Sequence, residues 1–489
     1  MFQTEFLTGT KQSKESYQRI IAQASALVSA FLPNQAYSGQ SAAELAELLN
    51  TEVLPGSASS HETVFGKLEA IIANSVVVTH PYTAAHLHCP PLLSALAAVV
   101  VISALNQSMD SFDQAPIATV LEQKVIRWLC QEAELPDTAD GTFTTGGTQS
   151  NYLGLLLARD AFLKSQWNWP AQKSGLPPEA QRLRILCSEV AHFTVEKSAS
   201  QLGLGTNSVA RVEVDEHFRM KPDALRNSLQ ALRAQGLWPF AVVATAGTTD
   251  SGSVDPLSEV ASLARAAGAW LHVDAAYGGV LLFSHIHRDQ IIGIDSADSI
   301  SIDFHKLFWQ PIPCSAFLLR DEKHFESMKL HADYLNPEAH EDQAIPDLVT
   351  RSLLTSRRFD ALKLWISFQL LGRDRLGAMI DRAIELAAHA ATAIRSHGQL
   401  ELLHEPTLST VLFRYVPSHK EINADLFNFQ LRKRLFDRGI AVIGHTRVRR
   451  QQCLKLTCMN PTVTDMQMQD LVRVMAENGE QLERVWTAP

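Results

Sequence analysis

The sequence has little of what marks several large classes of protein. Only six of its 489 residues are cysteine. Cys89, Cys130, Cys187, Cys314, Cys453 and Cys458 show no CxxC or finger-like spacing, which argues against a disulfide framework or a zinc site, and no metal site is expected. Long apolar runs are missing too. The longest, Leu92 to Leu105, spans about 14 residues where roughly 20 are needed to cross a bilayer, so no membrane span is expected and a buried helix is the better reading. Basic charge is not in excess: 43 Lys and Arg face 52 Asp and Glu, for a formal net charge of -9. The cluster Arg447, Arg449 and Arg450 is too short for the basic stripe that a nucleic-acid surface needs. The stretch from Met1 to Ser16 lacks the basic start and apolar core of a secretory signal, which leaves the cytoplasm as the expected location.

What is present fits a soluble enzyme subunit, with 46% hydrophobic and 19% charged residues. Single cores stop growing near roughly 250–300 residues, so a large domain with smaller companions is expected. Residues 1–108 read as an N-terminal helical segment, with helical apolar spacing from Ser13 to Phe31 and a capping box at Ser41 and Glu44. Residues 109–365 read as a large α/β domain. From Gly141 to Leu319 short β-rich runs alternate with helical stretches, the signature of a mainly parallel sheet with crossover helices. The strand candidates are Arg184–Cys187, Ala210–Val214, Phe240–Ala244, Trp270–Val273, Ser299–Ile302 and Ala316–Leu319. A helix is expected over Pro256–Ala267, closed by Gly268. Residues 366–489 read as a small C-terminal α+β domain, with a helix over Ala378–Ser396 and strands at Ser409–Arg414 and Leu454–Thr457. The acidic stretch Asn336–Asp347 reads as a mobile loop.

Several short segments in the central region carry chemistry, and their joint occurrence says more than any one of them. Thr144-Thr-Gly-Gly-Thr-Gln-Ser-Asn151 runs into a helix whose free N–H groups and positive dipole end suit a phosphate. His192 follows a strand, facing the crevice where open α/β sheets bind ligands, and its imidazole can stack on a flat ring. Ala244-Thr-Ala-Gly-Thr-Thr249 and His272-Val-Asp-Ala-Ala-Tyr-Gly-Gly279 also follow apolar strands. Asp274 ends a buried run, where a carboxylate needs a cation, and a pyridinium nitrogen would be one. Ala276, two residues on, shares the face of Asp274 if the strand continues, and it is small enough to leave room for the ring. In Ser301-Ile-Asp-Phe-His-Lys306, Lys306 follows a buried strand. Burial favours the neutral amine that forms a Schiff base, and Asp303 and His305, which flank it, are candidates to help hold the phosphate or the lysine. Tyr334 and His340, in the loop, are candidate proton donors to the α-carbon. Each segment alone has a structural explanation as well: a tight turn, a helix-start histidine, a capping aspartate, a surface lysine, a solvated loop.

Together with Arg357-Arg-Phe-Asp-Ala-Leu-Lys-Leu-Trp365, these segments resemble the group II amino-acid decarboxylases that depend on pyridoxal 5′-phosphate (PLP). The resemblance spans about residues 60 to 480. It implies the fold-type I, aspartate-aminotransferase-like architecture and a homodimer with active sites at the interface. It further implies that Gly147 and Thr148 bind phosphate, His192 stacks on the cofactor ring, Asp274 pairs with its nitrogen, Ala276 lies beneath it and Lys306 carries it, with Thr248, Asp303 and His305 nearby. In one respect the sequence departs from the aromatic amino-acid decarboxylases: the loop from Asn336 to Pro346 has no tyrosine where those enzymes carry a proton donor, leaving His340 as a substitute.

His80-Pro-Tyr82, His86-Leu-His-Cys-Pro90 and Asn106 to Gln114 look closest to L-2,4-diaminobutyrate decarboxylases, and the lysine decarboxylases of siderophore pathways are similar there. His86, His88, Asp110 and Asp113 are the expected substrate-side residues, an aspartate reading the distal amine. Ornithine or an aromatic amino acid are alternative substrates. Arg414 is a candidate neighbour of the α-carboxylate.

Overall fold

A computed structural model describes residues 5–30, 35–50 and 56–487. Its strands are β1 Thr83–Ala84, β2 Asp140–Thr144, β3 Leu183–Ser188, β4 Val209–Val212, β5 Trp238–Thr245, β6 Trp270–Asp274, β7 Ser299–Asp303, β8 Ser315–Leu319, β9 Leu400–Leu402, β10 Thr410–Tyr415, β11 Val442–Val448 and β12 Gln451–Thr457. All six strand candidates of the central region form strands, within a residue or two of the expected bounds.

The chain divides into two units: Pro91–Glu385 with Pro406–Thr410, and the remainder. These divisions differ from the three segments read from the sequence, whose boundaries were 108/109 and 365/366. Residues up to Pro90 go with the C-terminal residues because β1 pairs in parallel with β11. Residues from Pro91 go with the central unit, where the Leu92 N–H donates to the carbonyl of Trp309. The helix Ala361–Arg395 runs across the expected 365/366 boundary and breaks from helical geometry at Gly372, at φ 73° and ψ 164°, a conformation that glycine adopts without the penalty of a Cβ.

The central unit is built on seven strands in the order β2-β8-β7-β6-β5-β3-β4. β4, β3, β5, β6 and β7 run parallel. β8 is antiparallel to β7 and to β2, because the connection from β7 is too short for a crossover helix. Every residue of β6, β7 and β8 is buried, as expected where both faces of a sheet are covered. The helix expected before β6 spans Leu257–Ala266. Gly268 takes φ 56° after it, and Ala269 and Gly268 donate to Ala264 and Arg265, so a Schellman turn delivers the chain into the strand.

The helix Leu93–Leu105 differs from its reading as a buried element. Ala95, Ala98 and Ile102 are buried, whereas Leu93, Leu96, Val100, Val101 and Leu105 are exposed. It is apolar all round, but its own chain covers one face.

The other unit carries the sheet β1-β11-β12-β10-β9. Phe413, Tyr415, Leu454 and Leu456 from that sheet pack with Phe427, Leu431, Leu471 and Met475 from the helices Ala424–Asp437 and Asp465–Thr487. The capping box at Ser41 and Glu44 forms as expected. Among the described residues no helix is long and apolar enough to cross a membrane.

Candidate active site

Strands β3, β5, β6 and β7 point their carboxyl ends the same way, and the loops leaving them enclose a cavity of about 180 Å³. Gly147, Thr148, His192, Thr248, Asp274, Ala276, Asp303, His305 and Lys306 all line it. Nine residues singled out in the sequence thus converge on one cleft, where ligands bind in open α/β sheets.

Asp274 closes one end. It is buried, and three neutral donors meet it: Asn151 Nδ2 reaches Oδ2 at 2.7 Å, while Ser301 Oγ and the Ala276 N–H each reach Oδ1 at 3.2 Å. An ionised carboxylate is acceptor-only, so this donor set suits that form. Strand β6 stops at Asp274, so Ala276 is not on a continuing strand face as the sequence suggested. It sits in the following turn and still lines the cavity.

The helix Gly147–Trp167 begins at the cavity with Gly146 as its N-cap, turning its first N–H groups toward the space. A Cβ on Gly147 would lie 3.0 Å from Ala276 Cβ and 3.3 Å from Asp303 Oδ2, so side-chain bulk there would press on both walls.

Lys306 Nζ pairs with buried Asp303 Oδ2 at 2.8 Å, and Asp303 Oδ1 accepts from Ser315 Oγ at 2.7 Å. His305 places Nδ1 3.1 Å from the Cys314 carbonyl oxygen; burial lowers its pKa, against the pull of Asp303. His192 Nδ1 lies 2.9 Å from Thr194 Oγ1. Thr194 Oγ1 also accepts from Asn151 Nδ2, which links His192 to the group around Asp274. Burial holds the His192 pKa below its ordinary value, with Asp274 opposing, which leaves an uncharged ring free to stack.

Thr248 Oγ1 sits 2.7 Å from Ser251 Oγ and 2.8 Å from Ser253 Oγ. This buried hydroxyl cluster was not anticipated, nor were the partners Asn151, Thr194 and Ser301 of the site residues. Asn151 and Ser301 lay inside motifs already quoted, but only the strand register shows what they touch.

The remaining expected residues are not in this cavity. Asp110 is buried, with Oδ1 accepting the Ser111 N–H at 2.8 Å, and exposed Asp113 accepts from Ser111 Oγ at 2.6 Å. Tyr334 is 89% exposed. His340 Nδ1 pairs with Asp347 Oδ2 at 2.7 Å, and Asp347 Oδ1 accepts the Phe112 N–H. His86 and His88 belong to the other unit. Arg414 also lies there and pairs with Asp425 at 3.2 Å, which gives it a structural role.

Chemically, the cavity offers an amine paired with a carboxylate, an uncharged imidazole, a helix N-terminus and a second carboxylate. Thr245 Oγ1, buried on the same wall, has no hydrogen-bond partner among the described residues. A phosphorylated pyridine aldehyde fits this set: an anion for the helix start, a ring nitrogen for Asp274, a carbonyl carbon for Lys306.

A family model described as the pyridoxal-dependent decarboxylase conserved domain matches residues 43–416. The chain belongs to this family. An L-2,4-diaminobutyrate decarboxylase of Acinetobacter baumannii is 39% identical over 98% of this chain and 95% of its own length. One of Rhizobium meliloti (strain 1021) is 44% identical over 84% of this chain and 80% of its own. A crystal structure of the glutamate decarboxylase domain of a diaminobutyrate-pyruvate transaminase and L-2,4-diaminobutyrate decarboxylase from Vibrio parahaemolyticus superposes with a TM-score of 0.90. It is 38% identical, covering 98% of this chain and 99% of that one. The protein is therefore a PLP-dependent amino-acid decarboxylase with the fold-type I architecture.

Proposed function

We propose that this decarboxylase converts L-2,4-diaminobutyrate to 1,3-diaminopropane and carbon dioxide. The likeness to two diaminobutyrate decarboxylases, one across 98% of this chain, is the observation that carries the reading. Pyridoxal phosphate supplies an electron sink for the charge left when the α-carboxylate departs.

The residues divide the work among them. Lys306 binds the cofactor covalently, and Asp303, 2.8 Å from its Nζ, holds the amine in place and can keep a proton beside it. Asp274 holds a proton on the ring nitrogen. His192 stacks on the ring and orients it. Gly147 and Thr148 receive the phosphate at the helix start, with Thr248 and His305 flanking. His340 or Tyr334 delivers a proton to the α-carbon when their segment closes, and Asp110 or Asp113 reads the distal ammonium.

Other parts of the reading concern the molecule as a whole. It acts as a homodimer in the cytoplasm, and the exposed apolar side of Leu93–Leu105 supports self-association.

The test is to supply the PLP-loaded enzyme with diaminobutyrate, ornithine, lysine, tyrosine, histidine or glutamate and to measure carbon dioxide and amine. Highest kcat/KM with diaminobutyrate is expected. A higher value with another member of the panel would overturn the substrate assignment. Keto-acid formation in place of an amine would overturn the reaction.

A further inference from the structure

Behind Asp274 runs a line of buried polar side chains that the chemistry above does not use. Trp270, His272 and Asp274 alternate along β6 and so share one face of the sheet. Ser299 and Ser301 lie opposite His272 and Asp274 on β7. The helix Gly147–Trp167 brings Asn151 and Gly154, three residues apart on one helix face, onto this same patch. Trp270 Nε1 reaches Ser299 Oγ at 2.9 Å, Ser299 Oγ is 2.8 Å from His272 Nδ1, His272 Nε2 is 2.9 Å from Asn151 Oδ1, and Asn151 Nδ2 reaches Asp274 Oδ2 at 2.7 Å.

The line has one direction. An indole N–H only donates, so Ser299 Oγ accepts from Trp270. At the other end the Asp274 carboxylate takes the Asn151 NH₂, which turns the Asn151 carbonyl oxygen to His272 Nε2 and leaves His272 Nδ1 to accept the Ser299 proton. His272 then carries its proton on Nε2 and donates to the Asn151 carbonyl oxygen. That bond fixes the side-chain amide with its NH₂ toward Asp274. The opposite tautomer would draw the NH₂ to His272 and set an oxygen against the carboxylate, leaving two acceptors face to face. Burial pushes the His272 pKa down to about 4, although Asp274 pulls it up, so the ring is uncharged at neutral pH. There is no slack around it: a Cβ on Gly154 would come within 2.5 Å of His272 Nδ1.

We infer that Trp270, Ser299 and His272 are positioning residues for the cofactor, acting through Asn151 to hold the Asp274 carboxylate in the orientation that meets the ring nitrogen. The inference rests on the reading of Asp274 as that nitrogen's partner.

Nitrogen-15 spectra of the histidine-labelled, cofactor-free full chain test it first, with His272 assigned by comparison with His272→Gln. The expected signal is a neutral ring protonated on Nε2; a ring protonated on Nδ1, or on both nitrogens, at neutral pH overturns the proposal. Trp270→Phe keeps an aromatic ring and loses the donor, and Ser299→Ala removes the hydroxyl. In both, the His272 tautomer becomes mixed. PLP binding to the cofactor-free variants, followed by fluorescence quenching, weakens by about ten-fold, the scale of one hydrogen bond to a charged group. An unchanged tautomer and unchanged cofactor affinity in both variants would contradict it. Asp274→Asn separates the two ideas. If it weakens cofactor binding and the other two variants do not, the relay fails and the Asp274 reading stands. If it leaves cofactor binding unchanged, the reading of Asp274 fails and the inference with it.

Discussion

At the residue scale, function depends on where charges are buried and what faces them. The donors that meet Asp274 among the described residues, Asn151, Ser301 and the Ala276 N–H, are neutral, so a cationic ring nitrogen would be its counter-charge. Asp274→Asn keeps the shape and loses the charge, and kcat should fall about a hundred-fold or more under saturating PLP and substrate. A kcat within a factor of two of the unaltered enzyme would contradict the role. His272 has a consequence for stability. Its folded pKa is near 4 against about 6.5 when unfolded. Between those values the unfolded chain binds the extra proton, so stability is full above about pH 6.5 and declines as pH falls toward 4. At about 1.4 kcal/mol per unit, the loss from this residue is roughly 3 kcal/mol. Urea unfolding of His272→Gln against the unaltered chain across that range measures it: the variant's stability should depend less on pH, and equal slopes would refute the assignment. Lys306, Asp274 and His192 were legible in the sequence because a charged or polar residue at the end of an apolar strand is conspicuous. The partners of Asp274 were not legible, because a hydrogen bond depends on strand register and on side-chain direction. Asp303 was expected to help hold the phosphate or the lysine, and the fold places it as the ion-pair partner of Lys306.

At the scale of elements, the site depends on one helix lying close against two strands. Gly154 is the contact that permits it, since a Cβ there would overlap the His272 ring. Gly154→Ala should cost about 1–3 kcal/mol as an overpacked core does, despite the better helix propensity of alanine. Thermal unfolding of the cofactor-free protein reads this as a lowered Tm, and an unchanged or raised Tm would contradict the packing. The parallel strands were legible from their apolar runs, and the helix before β6 from its Pro256 start and Gly268 stop. β2 was not: Asp-Gly-Thr-Phe-Thr has little apolar content, and its strand forms because β8 offers a free edge. The antiparallel setting of β8 was hidden for the same reason, since strand direction is written in the connection. The loop around Tyr334 and His340 was read as mobile from composition. Its folded contacts, His340 to Asp347 and Asp347 to Phe112, join segments far apart in the chain, which composition does not report.

At the scale of the whole molecule, one apolar helix is left half covered. Leu93 is 84% and Leu105 58% exposed, and Ile117 nearby in sequence is 72% exposed. Exposed apolar surface of this extent marks a contact surface, and the homodimer proposed above would cover it. Light scattering after size exclusion should give twice the 54.0 kDa chain mass. The double variant Leu93→Asp, Leu105→Asp should shift the population toward the single-chain mass. A monomer from the unaltered chain, or an unchanged dimer from the variant, would contradict this surface. The apolar run Leu92 to Leu105 was visible in the sequence as a helix meant for burial. The sequence could not tell whether its own chain or another would bury it.

Everything proposed for the site depends on Lys306 being the residue that binds PLP. Borohydride reduction of the loaded enzyme, followed by digestion and mass spectrometry of the peptides, tests that most directly. The peptide containing Lys306 is expected to carry the pyridoxyl group in nearly every molecule. A label on a different lysine, or no label on any peptide, would contradict it.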